Sequence, residues 1–198
     1  MARIARNYIL YDGCYCHIIS RSNRKQEIFK DDEDFCLFRK LLEKAKNEHL
    51  FTIYHYCIMH THFHLAVQML DVSQFSRALQ KLKSRYVVHF HKKYNLSGPI
   101  WRERYKSLLI ENEVYLYACG QYIENNPVRA KIVKTQEEWQ YSSGKHYLCG
   151  EKDCLVDKCM IFEIPKHIKI PDQEFESGNG IGSGFFKYQI KEKMKELW

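Results

Sequence analysis

The segment His62-Phe63-His64 has the clearest capacity for chemistry in this 198-residue chain. Side chains two apart on a β-strand share a face, so both imidazoles project together while Phe63 turns to the opposite layer. Neutral imidazole binds most divalent ions, and a same-face pair is a natural part of a metal site. The chain holds 10 histidines, so an H-x-H pair without function is also a common outcome. His60 continues the alternation, but His60-Thr61 reads as a tight turn that takes its side chain off the shared face. The second candidate is Gln121-Tyr122-Ile123-Glu124-Asn125-Asn126-Pro127-Val128-Arg129-Ala130. Tyr122 and Asn126, four apart, share a face near a helix end, and Glu124 falls on another face. A tyrosine facing a metal is a candidate nucleophile for phosphoryl transfer. With 14 tyrosines present, the competing reading is a packing residue with a polar tip, followed by an ordinary Asn-Pro helix stop.

Elements must position these groups. Residues 15–21 read as a strand, with His17 and Ile19 alternating with Ile18 and Ser20. Asp31-Asp32-Glu33-Asp34 places negative charge at a helix start, and Phe35, Phe38, Leu41, Leu42 and Ala45 follow at helical spacing. Residues 51–59 and 62–69 form a β-hairpin. Phe75, Ala78, Leu79, Leu82 and Tyr86 mark one face of a second helix, which residues 95–99 break. A fourth strand spans 105–110, and a third helix runs from about Glu113 to near Pro127. The order β-α-β-β-α-β-α predicts an α+β, ferredoxin-like (split βαβ) fold: a four-stranded antiparallel sheet with helices on one face. Residues 1–150 form the expected catalytic unit and 151–198 a C-terminal extension, with a linker-like stretch at 177–184 and a short amphipathic helix at 185–198.

Composition limits the classes. Hydrophobic residues make up 45% of the chain, enough to pack a core, which argues against a disordered chain. No stretch has the length of a membrane span, and the N-terminal residues lack the apolar run of a signal peptide; a cytoplasmic protein is expected. Between Arg77 and Lys106 stand nine Lys or Arg and one acid, a block of +8 in a chain of +7. Such a block is either a phosphate-backbone footprint or a solvated helix face. Among the eight cysteines, Cys14, Cys16, Cys57 and Cys119 read as small buried apolar residues. His146, Cys149, Cys154 and Cys159 lack the paired short spacings of common zinc sites.

Several ordered motifs resemble one family. Tyr56-Cys57-Ile58-Met59-His60-Thr61-His62-Phe63-His64-Leu65 is similar to the M-P-N-H-x-H-L signature of single-tyrosine HUH transposases. The likeness extends to His17-Ile18-Ile19-Ser20-Arg21, Ile28-Phe29, Trp101-Arg102-Glu103-Arg104-Tyr105-Lys106-Ser107 and Trp139-Gln140-Tyr141-Ser142-Ser143. The block from Tyr122 to Ala130 resembles the branch associated with repetitive extragenic palindromes. His60-Thr61 stands where the family has Pro-Asn, and Tyr141 where it has tryptophan, a change expected to affect packing alone.

The resemblance implies roles. Tyr122 attacks a phosphate of single-stranded DNA and forms a 5′-phosphotyrosine; His62 and His64, with Asn126, hold a divalent cation, Mg2+ or Mn2+. The expected partner is single-stranded DNA bearing a palindromic hairpin. Arg21, Arg24, Arg77, Lys81, Arg85, Arg102, Arg104 and Lys106 are its candidate contacts, with Tyr105 as a base-stacking surface. The wider family includes dimers that share active sites, while the palindrome branch implies monomers, so monomer and homodimer both stay open. The competing reading is a non-catalytic module that binds single-stranded nucleic acid on the same sheet. A structural metalloprotein using the late cysteines is a third.

Overall fold

The computed structural model describes residues 10–49, 51–158 and 181–183. Its elements are β1 (Cys14–Arg21), α1 (Asp32–His49), β2 (Phe51–Met59), β3 (His62–Met69), α2 (Val72–Tyr94), β4 (Lys106–Ile110), α3 (Glu113–Glu124), α4 (Asn126–Arg129) and α5 (Gly144–Cys149). The strands form one antiparallel sheet in the order β2-β3-β1-β4. This is the α+β, ferredoxin-like arrangement that the alternating strands and amphipathic helices predict.

Strand alternation sorts the sheet residues into two faces. Ile18, Phe51, Ile53, Ile58, Phe63, Leu65 and Val67 share one, where α1 and α2 bury them. Phe38 of α1 packs on Phe63 and Phe75 of α2 on Phe51, each pair 5.0 Å between ring centroids. Fully burying side chains of this size stabilises the fold by roughly 1.5–3 kcal/mol each. The expectation of helices on one face holds for α1 and α2. α3 lies on the opposite face, against β1, β2 and β3. That face carries His17, Ile19, His55, Cys57, His64 and Ala66, all buried, and a sheet with apolar residues on both faces needs a cover on each.

Two caps define the helices that matter. Asp71 accepts the Gln74 amide at 2.9 Å and starts α2, and Asn112 Oδ1 accepts the amides of Val114 and Tyr115 at 3.1 and 3.2 Å, starting α3. The Asn-Pro step does not end the helical path. Asn125 keeps helical dihedrals, and α4 begins with Pro127 in its first turn, where the missing amide hydrogen goes unused.

Both sheet edges are covered. Residues 139–143 pair with β2, through the Ile58 amide to the Tyr141 carbonyl at 2.9 Å and the Ser143 amide to the Tyr56 carbonyl at 3.0 Å. On β4, the Ile181 amide donates to the Leu109 carbonyl at 2.7 Å and the Glu111 amide to the Ile181 carbonyl at 2.9 Å. Ile181, inside the stretch expected to be linker, is thus buried as a short parallel partner of Ile110; residues 177–180 and 184–198 lie outside the described residues. Residues 153–157 also dock on the body: Asp157 bridges the Ile53 amide (2.8 Å) and Lys46 (3.0 Å), and Asp153 accepts from Tyr56 (2.6 Å).

Candidate active site

β3 and β1 build the floor. Their register sets His62 opposite Arg21, His64 opposite Ile19 and Ala66 opposite His17, so His17 lies diagonally beside His64 on the same face. His17 Nε2 and His64 Nδ1 are 2.9 Å apart. Their ring planes differ by 22°, with centroids 5.1 Å apart. His62 stands 5.0 Å from His64 between centroids, nearly perpendicular, and its Nδ1 meets Thr61 Oγ1 at 2.9 Å. His60 turns away, as its place in the turn requires. Its Nδ1 donates to the Phe29 carbonyl at 2.9 Å, and its ring packs against Phe35 and Trp139. The residues in place of the family's Pro-Asn therefore anchor the turn and hold one ring nitrogen of His62.

α3 supplies the roof. The Tyr122 ring sits edge-on over His17 at 6.1 Å and over His64 at 6.3 Å. Helix spacing brings the tyrosine here because Gly120, two residues earlier, lets α3 descend onto β2; a Cβ there would stand 2.3 Å from the His55 ring. Asn126 Nδ2 donates to the carbonyls of Tyr122 and Ile123, both at 3.0 Å. The amide thus caps the end of α3 and leaves Oδ1 as the atom of Asn126 suited to a cation. α4 returns Arg129 to the same place, with its guanidinium 4.5 Å above the Tyr122 ring.

Burial sets the charge state of the floor. Loss of water, with the positive charge of Arg21 nearby, pushes His17 down to about 3. His64 is also held well below the ordinary histidine value, first by burial and then by His17, His62, Arg21 and Arg129. The pair is neutral at pH 7, the form that binds a metal. Thr61 Oγ1 on His62 and His17 on His64 each engage Nδ1. Two neutral imidazoles and a side-chain amide oxygen are donor types that suit a divalent ion. Among the described residues, no group of three or more His, Cys, Asp or Glu is placed to hold a metal. His146 Nδ1 meets the Glu151 carbonyl at 2.9 Å, Cys149 and Cys154 are exposed, and Cys159 lies outside the described residues.

The basic candidates divide between two places. Arg21 ends β1, Arg24 follows in a turn, Arg102 donates its amide to the Arg21 carbonyl at 3.0 Å, and Arg104 and Lys106 lead into β4. These five rim the sheet end that carries His62. Arg77, Lys81 and Arg85 are exposed on α2, in the helical layer beyond the sheet, and Lys81 reaches Glu48 of α1 at 3.5 Å. The crossover that places α2 beside α1 also separates this triplet from the histidines. Lys83, from the same basic run, is buried. It donates to Ser20 Oγ and the Glu103 carbonyl at 2.8 Å and to the Arg104 carbonyl, under the Trp101 ring at 4.7 Å. Tyr105 is not a stacking surface: it is buried against Phe75, with its hydroxyl 2.9 Å from Ser76 Oγ. Tyr141 packs flat on Phe35 at 3.9 Å and also hydrogen-bonds Asp32.

A second histidine cluster lies under the same helix. His55 Nδ1 meets Glu124 Oε1 at 2.8 Å, Ser143 Oγ donates to the same oxygen at 2.6 Å, and Tyr147 stacks on His55 at 4.4 Å. Glu124, on the helical face away from Asn126, is thereby consumed in a buried carboxylate–imidazole contact.

The family model described as "Transposase IS200 like" matches residues 10–126. The chain belongs to the IS200-like transposase family. Among solved structures, a REP-associated tyrosine transposase bound to a REP hairpin shares the fold, with a TM-score of 0.62 and 20% identity, over 86% of this chain and 100% of that one. A transposase candidate from Deinococcus radiodurans R1 overlaps at a TM-score of 0.38 and 19% identity, over 63% of this chain and 97% of that one; it carries no argument. No curated protein matches the chain. Transposases process DNA, and this chain shares their fold and family. Among the described residues, no helix is long and apolar enough to cross a membrane.

Residues the sequence reading passed over include His17 and Arg129. Both stand in the quoted motifs, His17 at strand spacing and Arg129 just past Pro127. Their roles depend on which strand neighbours β1 and on α4 continuing the helical path.

Proposed function

We propose that the protein is a metal-dependent single-stranded DNA endonuclease and strand transferase that acts on hairpin-bearing DNA through a 5′-phosphotyrosine at Tyr122. The carrying observation is the placement of the Tyr122 ring over the neutral His17–His64 pair, beside His62 and beneath Arg129. The Tyr122 oxygen attacks phosphorus, giving up its proton. The P–O3′ bond breaks as the P–O(Tyr) bond forms, and the departing O3′ takes up a proton as a 3′-hydroxyl. Attack by a DNA 3′-hydroxyl on the phosphotyrosine reverses these steps and joins strands, so no separate energy source is needed.

His62, His64 and Asn126 would hold Mg2+ or Mn2+, which supplies charge stabilisation to a non-bridging phosphate oxygen. Arg129 is placed to bring a second positive charge to the phosphate, and it holds the tyrosine ring from above. Arg21, Arg24, Arg102, Arg104 and Lys106 would track the backbone into the site, without reading sequence. Tyr122 lies over the histidines of its own chain, which supports action as a monomer. The α2 triplet, in the other layer, would serve a flanking hairpin only if the DNA wraps the molecule.

The test is incubation with a hairpin-bearing single-stranded oligonucleotide and Mg2+ or Mn2+. The expected result is metal-dependent cleavage with protein attached to the 5′-phosphate side, abolished in Tyr122→Phe. Tight binding without any cleavage or adduct would identify a nucleic-acid-binding module instead.

A further inference from the structure

The proposed reaction gives work to Tyr122, His62, His64, Asn126 and Arg129, but none to His17, a fully buried histidine at the centre of the floor. A neutral imidazole carries one N–H and one lone pair. If His64 Nε2 directs its lone pair at a cation, its proton must sit on Nδ1, where the lone pair of a neighbouring neutral imidazole can accept it; that neighbour then carries its own proton on its other nitrogen. His17 Nε2 stands 2.9 Å from that Nδ1, with the two ring planes only 22° apart, the geometry of an N–H···N bond made in the ring planes. His62 obtains the matching support locally, from Thr61 Oγ1 one residue before it. For His64 the support comes across the sheet, because the register sets His17 diagonally beside it.

We infer that His17 is a positioning residue for the metal ligand His64: its Nε2 accepts the Nδ1–H of His64 and so turns the His64 Nε2 lone pair toward the cation. This rests on the metal-dependent reading above. Histidine ligands commonly donate their second nitrogen to a carboxylate or carbonyl. A neutral imidazole in that role has a distinct consequence here. It orients the ligand without adding negative charge beside a phosphate-binding site that Arg21 and Arg129 keep positive.

The experiment measures Mn2+ binding to the full chain without DNA, by electron paramagnetic resonance, in the wild type, His62→Ala, His17→Met and His17→Gln, with a melting curve for each. Glutamine places Oε1 close to the position of the histidine Nε2 and can accept the same bond; methionine fills the space but is a weak acceptor. His62→Ala should weaken binding and so confirm the metal reading. His17→Met should weaken it by roughly 10–100-fold, and His17→Gln should restore it to within a few-fold. A readout that needs no variant is 15N NMR of the Mg2+-loaded wild type, where His64 should carry its proton on Nδ1. Unchanged Mn2+ affinity in folded His17→Met overturns the role of His17 and leaves the metal site standing, whereas a proton on His64 Nε2 in the loaded protein removes that nitrogen as a ligand and overturns both. Absence of Mn2+ binding in the wild type, or equal binding in His62→Ala, overturns both.

Discussion

His55 and His64 are both buried histidines on the same face of the sheet, under the same helix, yet they have opposite kinds of partner. His55 closes on the Glu124 carboxylate, with Ser143 and Tyr147 completing its surroundings. His64 closes on a second imidazole, with arginines at the edge and a tyrosine above. A carboxylate partner makes a closed unit whose interactions all end within the protein, which suits an anchor. An imidazole partner keeps the ring neutral and leaves the surroundings positive, which suits a site that must accept an outside cation and an anionic phosphate. α3 joins the two: Glu124 and Tyr122 are two residues apart, so the anchor sets where the tyrosine lies.

The comparison breaks most visibly at the anchor. His55→Ala leaves the Glu124 charge buried without its imidazole, and a loss of about 3–5 kcal/mol is expected, read as a large fall in denaturation midpoint. Replacing Glu124 with Leu in the same protein should recover much of that loss. If His55→Ala melts like the wild type, the anchor assignment fails.

His62→Ala touches the other region. Metal-dependent cleavage should fall on the order of 100-fold or more, as expected for loss of a metal ligand, while the melting temperature stays near the wild-type value because His62 is half-exposed at the sheet end. A variant that lost stability as well as activity would erase the distinction between the two regions.

Gly120→Ala lies between them. The added methyl meets a His55 ring that Glu124 and Tyr147 hold in place, so α3 must lift, at about 1–3 kcal/mol. Cleavage should fall too, because Tyr122 rises with the helix. Combined with His55→Ala, the glycine substitution should cost less than it does alone, and strict additivity would show that the contact is not the cause.

The smallest effect is on pH dependence. His17 is held below its unfolded value, so the unfolded chain binds the extra proton first as pH falls. The metal-free protein should hold this contribution fully above about pH 6.5 and lose it progressively as pH falls toward 3. His17→Gln should flatten the dependence in the upper part of that window. Denaturant melts at pH 7, 6 and 5 provide the check, and parallel slopes for the two proteins would contradict it.

What was legible in the sequence follows from locality. The His62–His64 face is a two-residue relation on one strand, and Tyr122–Asn126 a four-residue relation on one helix; both survive translation into three dimensions. The fold order was legible for the same reason. His17 was visible as a strand residue, but its closeness to His64 depends on β1 lying next to β3, which no local period encodes. The +8 block was misleading because one run of basic residues serves several purposes: Arg102, Arg104 and Lys106 reach the site rim, Arg77, Lys81 and Arg85 face outward from the far layer, Lys83 is buried as a staple, and Lys93 pairs with the acidic start of α1. Tyr105 looked available for stacking beside charged neighbours, yet it turns inward onto Phe75. Pro127 read as a stop, whereas the chain needs it as the start of α4, which returns Arg129 over Tyr122.

The most direct test of the central claim is peptide-level mass spectrometry of protein incubated with a hairpin-bearing single strand and Mn2+, mapping the residue that carries the DNA phosphate. The account predicts a 5′-phosphate on Tyr122. A phosphate on any other tyrosine, or cleaved DNA with no covalently modified peptide, would contradict it.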